Sequence, residues 1–555
     1  MPSATGIENI TFLFFGQCIC LQMFSQNTGS ELIQLPELAE TDIHRPESQP
    51  TPVAENAGRQ SAGWDLLHGP KNYLTLLIAQ ALTSLLSFAS VWLTTRYLGP
   101  EGYGGVVAFI AAAQVVMLIG VNWTSISVAR YGCEEFVQTG QIASTFWTRL
   151  IILVPNLVLV LATTPLWLPR LVRVLHLPVN ATWLVLSLLL VNAWWIHIQQ
   201  SLQGAKLLRL QGWLLTLERA LIFLVLCYLA LSGSVSVQRV GWLYVLGSAG
   251  ASLIGLTRLR KLIWTPRVDG ALLNRMLRFS IPIIPTALIG YLSTNYLDAL
   301  FITHFLSQAK LGIYSVAYQL TGLTQQLPLL AGMLLMPLFV TLQSGKREDR
   351  TERFIREVLP SITLLWAIAC ALVAAVGSYL LQFIFGSKFE EAAVLLWPLM
   401  AASAIAGPAL MGYTPVTTST SKTYIQMIAI SLASAVNVIL DVLLIPRYGL
   451  LGCAWATTAA YGTHFVVVFS LVHWRIFPKR TWVLEATFPI VLGALYASLF
   501  PRDAIALVLT LGAGVLLGII HLGSFVSAFR TLREYSQFVF YTRTPISTTA
   551  EANEA

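Results

Sequence analysis

The chain has 555 residues, of which 56% are hydrophobic and 11% charged, and its formal net charge is +8. Soluble domains carry about 25% charged residues, so a soluble enzyme of this length is all but excluded, because it could not cover its surface. The net charge is no nucleic-acid signal: the first 71 residues are acidic, and the Lys and Arg excess lies in the apolar remainder.

The run 10–24 is apolar, but the first Lys or Arg is Arg45, so the basic lead of a secretory signal is missing. The run is also shorter than the ~20 residues that cross a bilayer. It reads as an interfacial anchor or, more plainly, as a weakly ordered tail, with Met23 as an alternative start. Residues 26–66 are rich in Glu, Pro, Ser, Thr and Gln, and disorder is expected there and in 543–555. Fourteen apolar runs then predict transmembrane helices at 73–95, 104–128, 147–168, 180–201, 211–232, 239–257, 279–304, 311–338, 358–385, 391–414, 423–445, 449–472, 483–500 and 503–524.

Basic residues orient these spans. Twenty follow even-numbered spans, from Arg130 and Arg149 to Arg475, Lys479 and Arg480. Eight follow odd-numbered spans: Arg96, Arg170, Arg173, Arg239, Lys310, Lys388, Arg447 and Arg502. The positive-inside rule places both termini in the cytoplasm and favours an even number of spans. The loops on the other side are short, which argues against a membrane glycosyltransferase or polymerase with a large catalytic loop. No phosphate-binding loop is present, and the six cysteines form no metal-ligand pattern, so no cofactor, metal or direct use of ATP is expected.

The turn after the first span, Thr95-Arg-Tyr-Leu-Gly-Pro-Glu-Gly-Tyr-Gly104, is echoed 208 residues later by Thr303-His-Phe-Leu-Ser-Gln-Ala-Lys-Leu-Gly312. A duplication of six helices is a common transporter plan. The expected class is therefore an all-α polytopic membrane protein, with two six-helix bundles (71–260 and 261–475) and an extra helix pair (476–525). Cytoplasmic tails (1–70 and 526–555) flank them.

The run Arg96–Gly104 resembles the first inter-helix turn of the polysaccharide-transporter flippases. These are the O-antigen-type members of the multidrug/oligosaccharidyl-lipid/polysaccharide exporter superfamily. Three further stretches match in family order: Asp298 ahead of Leu311-Gly-Ile-Tyr-Ser-Val-Ala317, then Phe385-Gly-Ser-Lys-Phe-Glu-Glu-Ala392, then Asn437, Asp441 and Ile445–Ala456. The resemblance covers about residues 70–475. His304 and Ser307-Gln-Ala depart from the usual second turn, and the tail 1–70 matches nothing. The resemblance implies that the chain flips a polyprenyl-pyrophosphate-linked oligosaccharide across the bacterial inner membrane for lipopolysaccharide or other surface polysaccharide. Two bundles would alternate access to a wet cavity, with membrane lipids, glycosyltransferases and a polymerase as pathway partners. A monomer is expected. A cation-coupled drug or metabolite antiporter on the same fold is the alternative.

A pyrophosphate head needs cations, and Arg suits phosphate geometry. Arg96, Arg130, Arg149 and Arg219 are candidates, and the plain reading of each is an interfacial residue that sets topology. Asp298 lies about 9 Å from the end of its helix at ~1.5 Å per residue, with Tyr291, Thr294 and Asn295 on the same face. It is a candidate for ion coupling, or for a structural pair. Asp441, with Asn437 one turn before it, reads as structural. Gln80 with Ser84 and Ser87, Asn192 with Trp194 and Trp195, and Gln325 with Gln326 are candidate cavity residues, since amides and aromatic rings suit sugars. Ordinary helix–helix hydrogen bonding is the equal alternative. Pro282 and Pro285 read as a gating bend or a fixed kink.

Overall fold

The computed structural model describes residues 52–178, 181–281, 296–344, 348–420, 422–477, 481–500 and 503–541. All regular structure among them is helical. Each apolar run must satisfy its own backbone in lipid, and a helix does so without a partner.

The first bundle runs α1 (Pro52–Gly120), α2 (Ser125–Thr139), α3 (Ala143–Ala162), α4 (Thr164–Val174), α5 (Thr182–Gly204), α6 (Leu208–Leu231) and α7 (Val237–Ile263). The second runs α8 (Gly270–Ser280), α9 (Tyr296–Phe305), α10 (Gln308–Ser344), α11 (Glu348–Arg353), α12 (Leu359–Phe385), α13 (Glu390–Pro408), α14 (Thr414–Ser419) and α15 (Tyr424–Arg475). A final group, α16 (Val483–Leu499), α17 (Asp503–Ile520) and α18 (Leu522–Tyr541), follows. The helices α16 and α17 pack on α12 and α13.

Two helices are broken by glycine. Gly99 in α1 has φ 65° and ψ −173°, and Gly449 in α15 has φ 60° and ψ −138°. A side chain disfavours this region, so Gly provides the break between two spans without a loop. With α1 and α15 divided there, thirteen of the fourteen expected spans coincide with helices. The span 279–304 is described only at its ends, by α8 and α9. Its Pro282, Pro285, Tyr291, Thr294 and Asn295 lie outside the described residues. The expected tail 1–70 is outside them as far as 51, and α1 begins at Pro52 within it.

Prolines bend the second bundle. A π-helical turn at Phe354–Val358 precedes Pro360, and another at Ala409–Tyr413 lies between Pro408 and Pro415. Proline cannot donate to, and collides with, the carbonyl four residues earlier, so the ladder widens ahead of it. The freed Arg356 carbonyl accepts from Thr481 Oγ1 at 3.5 Å.

The bundles meet most closely beside the broken turns. A methyl on Gly104 would overlap the Gln308 carbonyl oxygen, and one on Gly312 would overlap the Pro100 carbonyl oxygen. The pairs 104/308 and 312/100 exchange under the 208-residue offset, so the repeat seen in sequence is a two-fold contact in space. Nearby, Trp92 Nε1 donates to the Ile384 carbonyl at 3.0 Å, and Phe88 meets Phe385 edge-on at 5.8 Å. Gln308 Nε2 donates to the Leu175 carbonyl at 2.7 Å and the His176 carbonyl at 2.9 Å. This end of the two bundles is closed.

Candidate functional site

The second bundle buries two carboxyl groups together. Asp298 on α9 and Asp441 on the first arm of α15 lie with Cys453 on its second arm, one ligand atom from each falling within 4.8 Å of the others. All three residues are at most 1% exposed. Tyr314 Oη on α10 donates to Asp298 Oδ2 at 3.0 Å and lies 3.2 Å from Thr457 Oγ1. Buried Asn437 stands one turn before Asp441, as Cys453 stands one turn before Thr457. The Gly449 break folds these two i, i+4 pairs onto each other.

Two ionised carboxylates this close repel, and burial removes the water that would screen them. A proton shared between them or a bound cation relieves the repulsion. Carboxylate, amide and hydroxyl oxygens suit a hard cation. Either would change the charge of the site, which is the chemistry an ion-coupling site would use.

A polar track leaves this cluster. The Tyr314 ring stacks with Tyr318 at 6.3 Å, Tyr318 contacts the Tyr461 hydroxyl, and Tyr461 contacts Gln325. Beside Gln325, Gln326 Oε1 lies 3.5 Å from Gln80 Nε2 of α1, across the seam between the bundles. Tyr314 to Gln325 is about 16 Å of helix at ~1.5 Å per residue. Asp298 is thus linked through the tyrosines to Gln325, and the next residue on α10, Gln326, meets Gln80.

The arginines do not share a site, for no contact joins Arg96, Arg130 and Arg219 among the described residues. Arg96 is exposed at the closed end. Half-buried Arg130 covers the Phe279 ring at 4.7 Å and the Tyr131 ring at 5.5 Å, tying α2 to α8. Arg219 is buried inside the first bundle, 6.0 Å from the Tyr244 ring centroid. Its neighbour Glu218 accepts from Trp195 Nε1 at 3.1 Å and from Ser248 Oγ.

The interfacial reading fails for Arg219 and for Arg149, both of which are buried. Arg149 Nη1 lies 2.8 Å from His197 Nδ1, a contact the sequence did not suggest. Arg149 sits two turns inside α3, because that helix starts at Ala143, earlier than expected. Asn192 is buried with neither side-chain polar atom hydrogen-bonded among the described residues, and Ser84 and Ser87 hydroxyls are likewise buried and unpaired.

The comparisons with known proteins agree with this architecture. Residues 70–343 match the family described as polysaccharide biosynthesis protein. No curated protein matches the chain by sequence. Among solved structures, the lipid II flippase MurJ in an inward-closed conformation superposes with a TM-score of 0.59 at 15% identity, covering 81% of this chain and 99% of its own. An inward-facing multidrug resistance MATE family transporter of the MOP superfamily gives 0.50 at 14% identity, covering 72% and 98%. The MATE multidrug transporter DinF-BH in complex with R6G gives 0.50 at 13% identity, covering 74% and 96%. The resemblance read in the sequence holds: this is a multi-pass membrane protein with a transporter fold, and family and fold indicate a transporter rather than an enzyme.

Proposed function

We propose that this chain, matched over residues 70–343 by the polysaccharide biosynthesis family, flips a polyprenyl-pyrophosphate-linked oligosaccharide across the bacterial inner membrane. The family match supports the cargo class, and the name of the lipid II flippase of like fold is consistent with it. The buried Asp298–Asp441 pair carries the coupling: a cation or proton bound there neutralises repulsion, and the tyrosine track passes the change to the Gln80–Gln326 seam. Binding energy that differs between two arrangements of the bundles is what shifts their balance.

In this reading the closed end faces outward and both termini lie in the cytoplasm. The structure then corresponds to a state closed to the outside, and opening requires the Gly104 and Gly312 contacts to part. Gln80, Asn192 and Gln325 remain candidates for the sugars, and Arg96, Arg130 and Arg219 for the pyrophosphate. A monomer working beside the pathway's glycosyltransferases and polymerase completes the proposal.

In-frame deletion should accumulate polyprenyl-linked glycan on the cytoplasmic leaflet and remove surface polysaccharide. Unchanged glycan export would overturn the reading, and altered drug tolerance in that case would favour the antiporter.

A further inference from the structure

The second bundle and the C-terminal helices form an open pocket that the transport reading leaves unused. About 700 Å³ of space lies between the π turn at Phe354–Val358, the end of α15, the start of α16 and the α17–α18 junction. Arg356, Phe469, His473, Trp482, Glu485 and His521 are among the residues that line it.

The chemistry of these walls is mixed in a specific way. Arg356 Nη2 lies 3.1 Å from Glu357 Oε1, and its side chain is 42% exposed. Glu357 is already satisfied, because its other oxygen receives Ser527 Oγ at 2.6 Å and Thr531 Oγ1 at 3.3 Å from α18. Glu485 pairs one oxygen with His521 Nε2 at 3.1 Å and is 60% exposed. Trp482 stacks flat on the His521 ring at 4.3 Å. It is more than nine-tenths buried, yet its indole N–H has no acceptor among the described residues. Such a donor costs about 1–3 kcal/mol when nothing accepts from it.

The pocket lies at an end rich in membrane-surface features. Arg475 covers the Trp474 ring at 4.0 Å, and Lys422 Nζ donates to the Arg475 carbonyl at 2.9 Å. Leu522, Val526 and Phe529 are exposed on α18 at i, i+4 and i+7. The opposite face of that helix, through Ser527 and Thr531, holds Glu357. An apolar stripe of this kind on a surface helix sits at headgroup depth.

We propose that the pocket binds the headgroup of an aminophospholipid, in which two carbons join a phosphate to a primary ammonium. The phosphate takes Arg356 and the Trp482 N–H, and the ammonium takes the free side of Glu485. A purely anionic headgroup meets two carboxylates, and a purely cationic one meets Arg356, so a zwitterion fits both signs. The inference is independent of the transported cargo.

Delipidated full-length protein in detergent, titrated by native mass spectrometry with dihexanoyl-phosphatidylethanolamine, tests this. One equivalent should be retained, with dihexanoyl-phosphatidylglycerol bound about tenfold more weakly because it lacks the ammonium. Glu485→Gln should weaken the ethanolamine lipid several-fold and leave the glycerol lipid's binding close to that of the wild type, whereas Trp482→Phe, which removes a phosphate donor, should weaken both lipids alike. Equal binding of the two lipids by the wild-type protein overturns the proposal, whether or not the variants fold. Free O-phosphoethanolamine bound as tightly as the lipid would overturn the lipid source and assign a soluble ligand.

Discussion

Asp441 shows how a residue's role changes with its neighbour. Alone on its helix, with Asn437 one turn away, it reads as structural. Facing Asp298 and Cys453, it becomes half of a site whose charge must be compensated. Replacing either carboxylate by Asn removes the repulsion and the need for a cation. Asp298→Asn and Asp441→Asn should therefore leave membrane levels intact while glycan export falls by about 5–150-fold, the usual span of a site-to-site coupling. Wild-type export in both would sink the coupling role. In the first bundle, Trp195→Phe removes one of the donors to the buried Glu218 carboxylate. A loss of about 1–3 kcal/mol should follow, read as a lower melting temperature in detergent, with export spared where the protein remains folded.

At the scale of elements, the spans were legible because each is a long apolar run, whereas the breaks at Gly99 and Gly449 show only in the backbone angles. What escaped were helices that carry charge. α2 holds Arg130, Glu134 and Glu135, and α8 holds Arg275 and Arg278, so neither resembles a span, yet both pack beside the first bundle. Asp298 was legible as a candidate because polar residues share its face of an apolar helix. Its partnership was not, since Asp441 and Cys453 are more than 140 residues away and only the fold at Gly449 brings them in. Arg149 was misplaced because a helix start was read a few residues late. The close seam yields its own prediction. Gly104→Val or Gly312→Val cannot be seated while the bundles touch, because each side chain would overlap a backbone carbonyl. Each variant should hold that end open, seen as increased labelling of a cysteine placed at Phe88 or Phe385. Unchanged labelling would show that the seam shifts without opening.

For the whole molecule, the uneven distribution of basic residues remains the argument for orientation. A cysteine at Lys388 should label from outside intact cells, and one at Lys422 only after the membrane is permeabilised, in a background without native cysteines. The reverse pattern would invert the assignment of the closed end and send the proposed cargo the wrong way. The fold itself tolerates wide divergence, since 15% identity suffices for a shared architecture with MurJ.

The reciprocal glycine contact has an evolutionary consequence. In a dimer of identical chains, every substitution at the symmetric seam occurs on both sides at once. In a chain that holds both halves it occurs on one side only, so each half is free to drift while the other keeps the fit. Position 298 is Asp in the second half, and its equivalent at the same offset is Ser90; Tyr314 corresponds to Val106. The carboxylate pair thus has no counterpart at these positions of the first half, and a molecule built on near two-fold geometry carries this buried acidic pair on a single side.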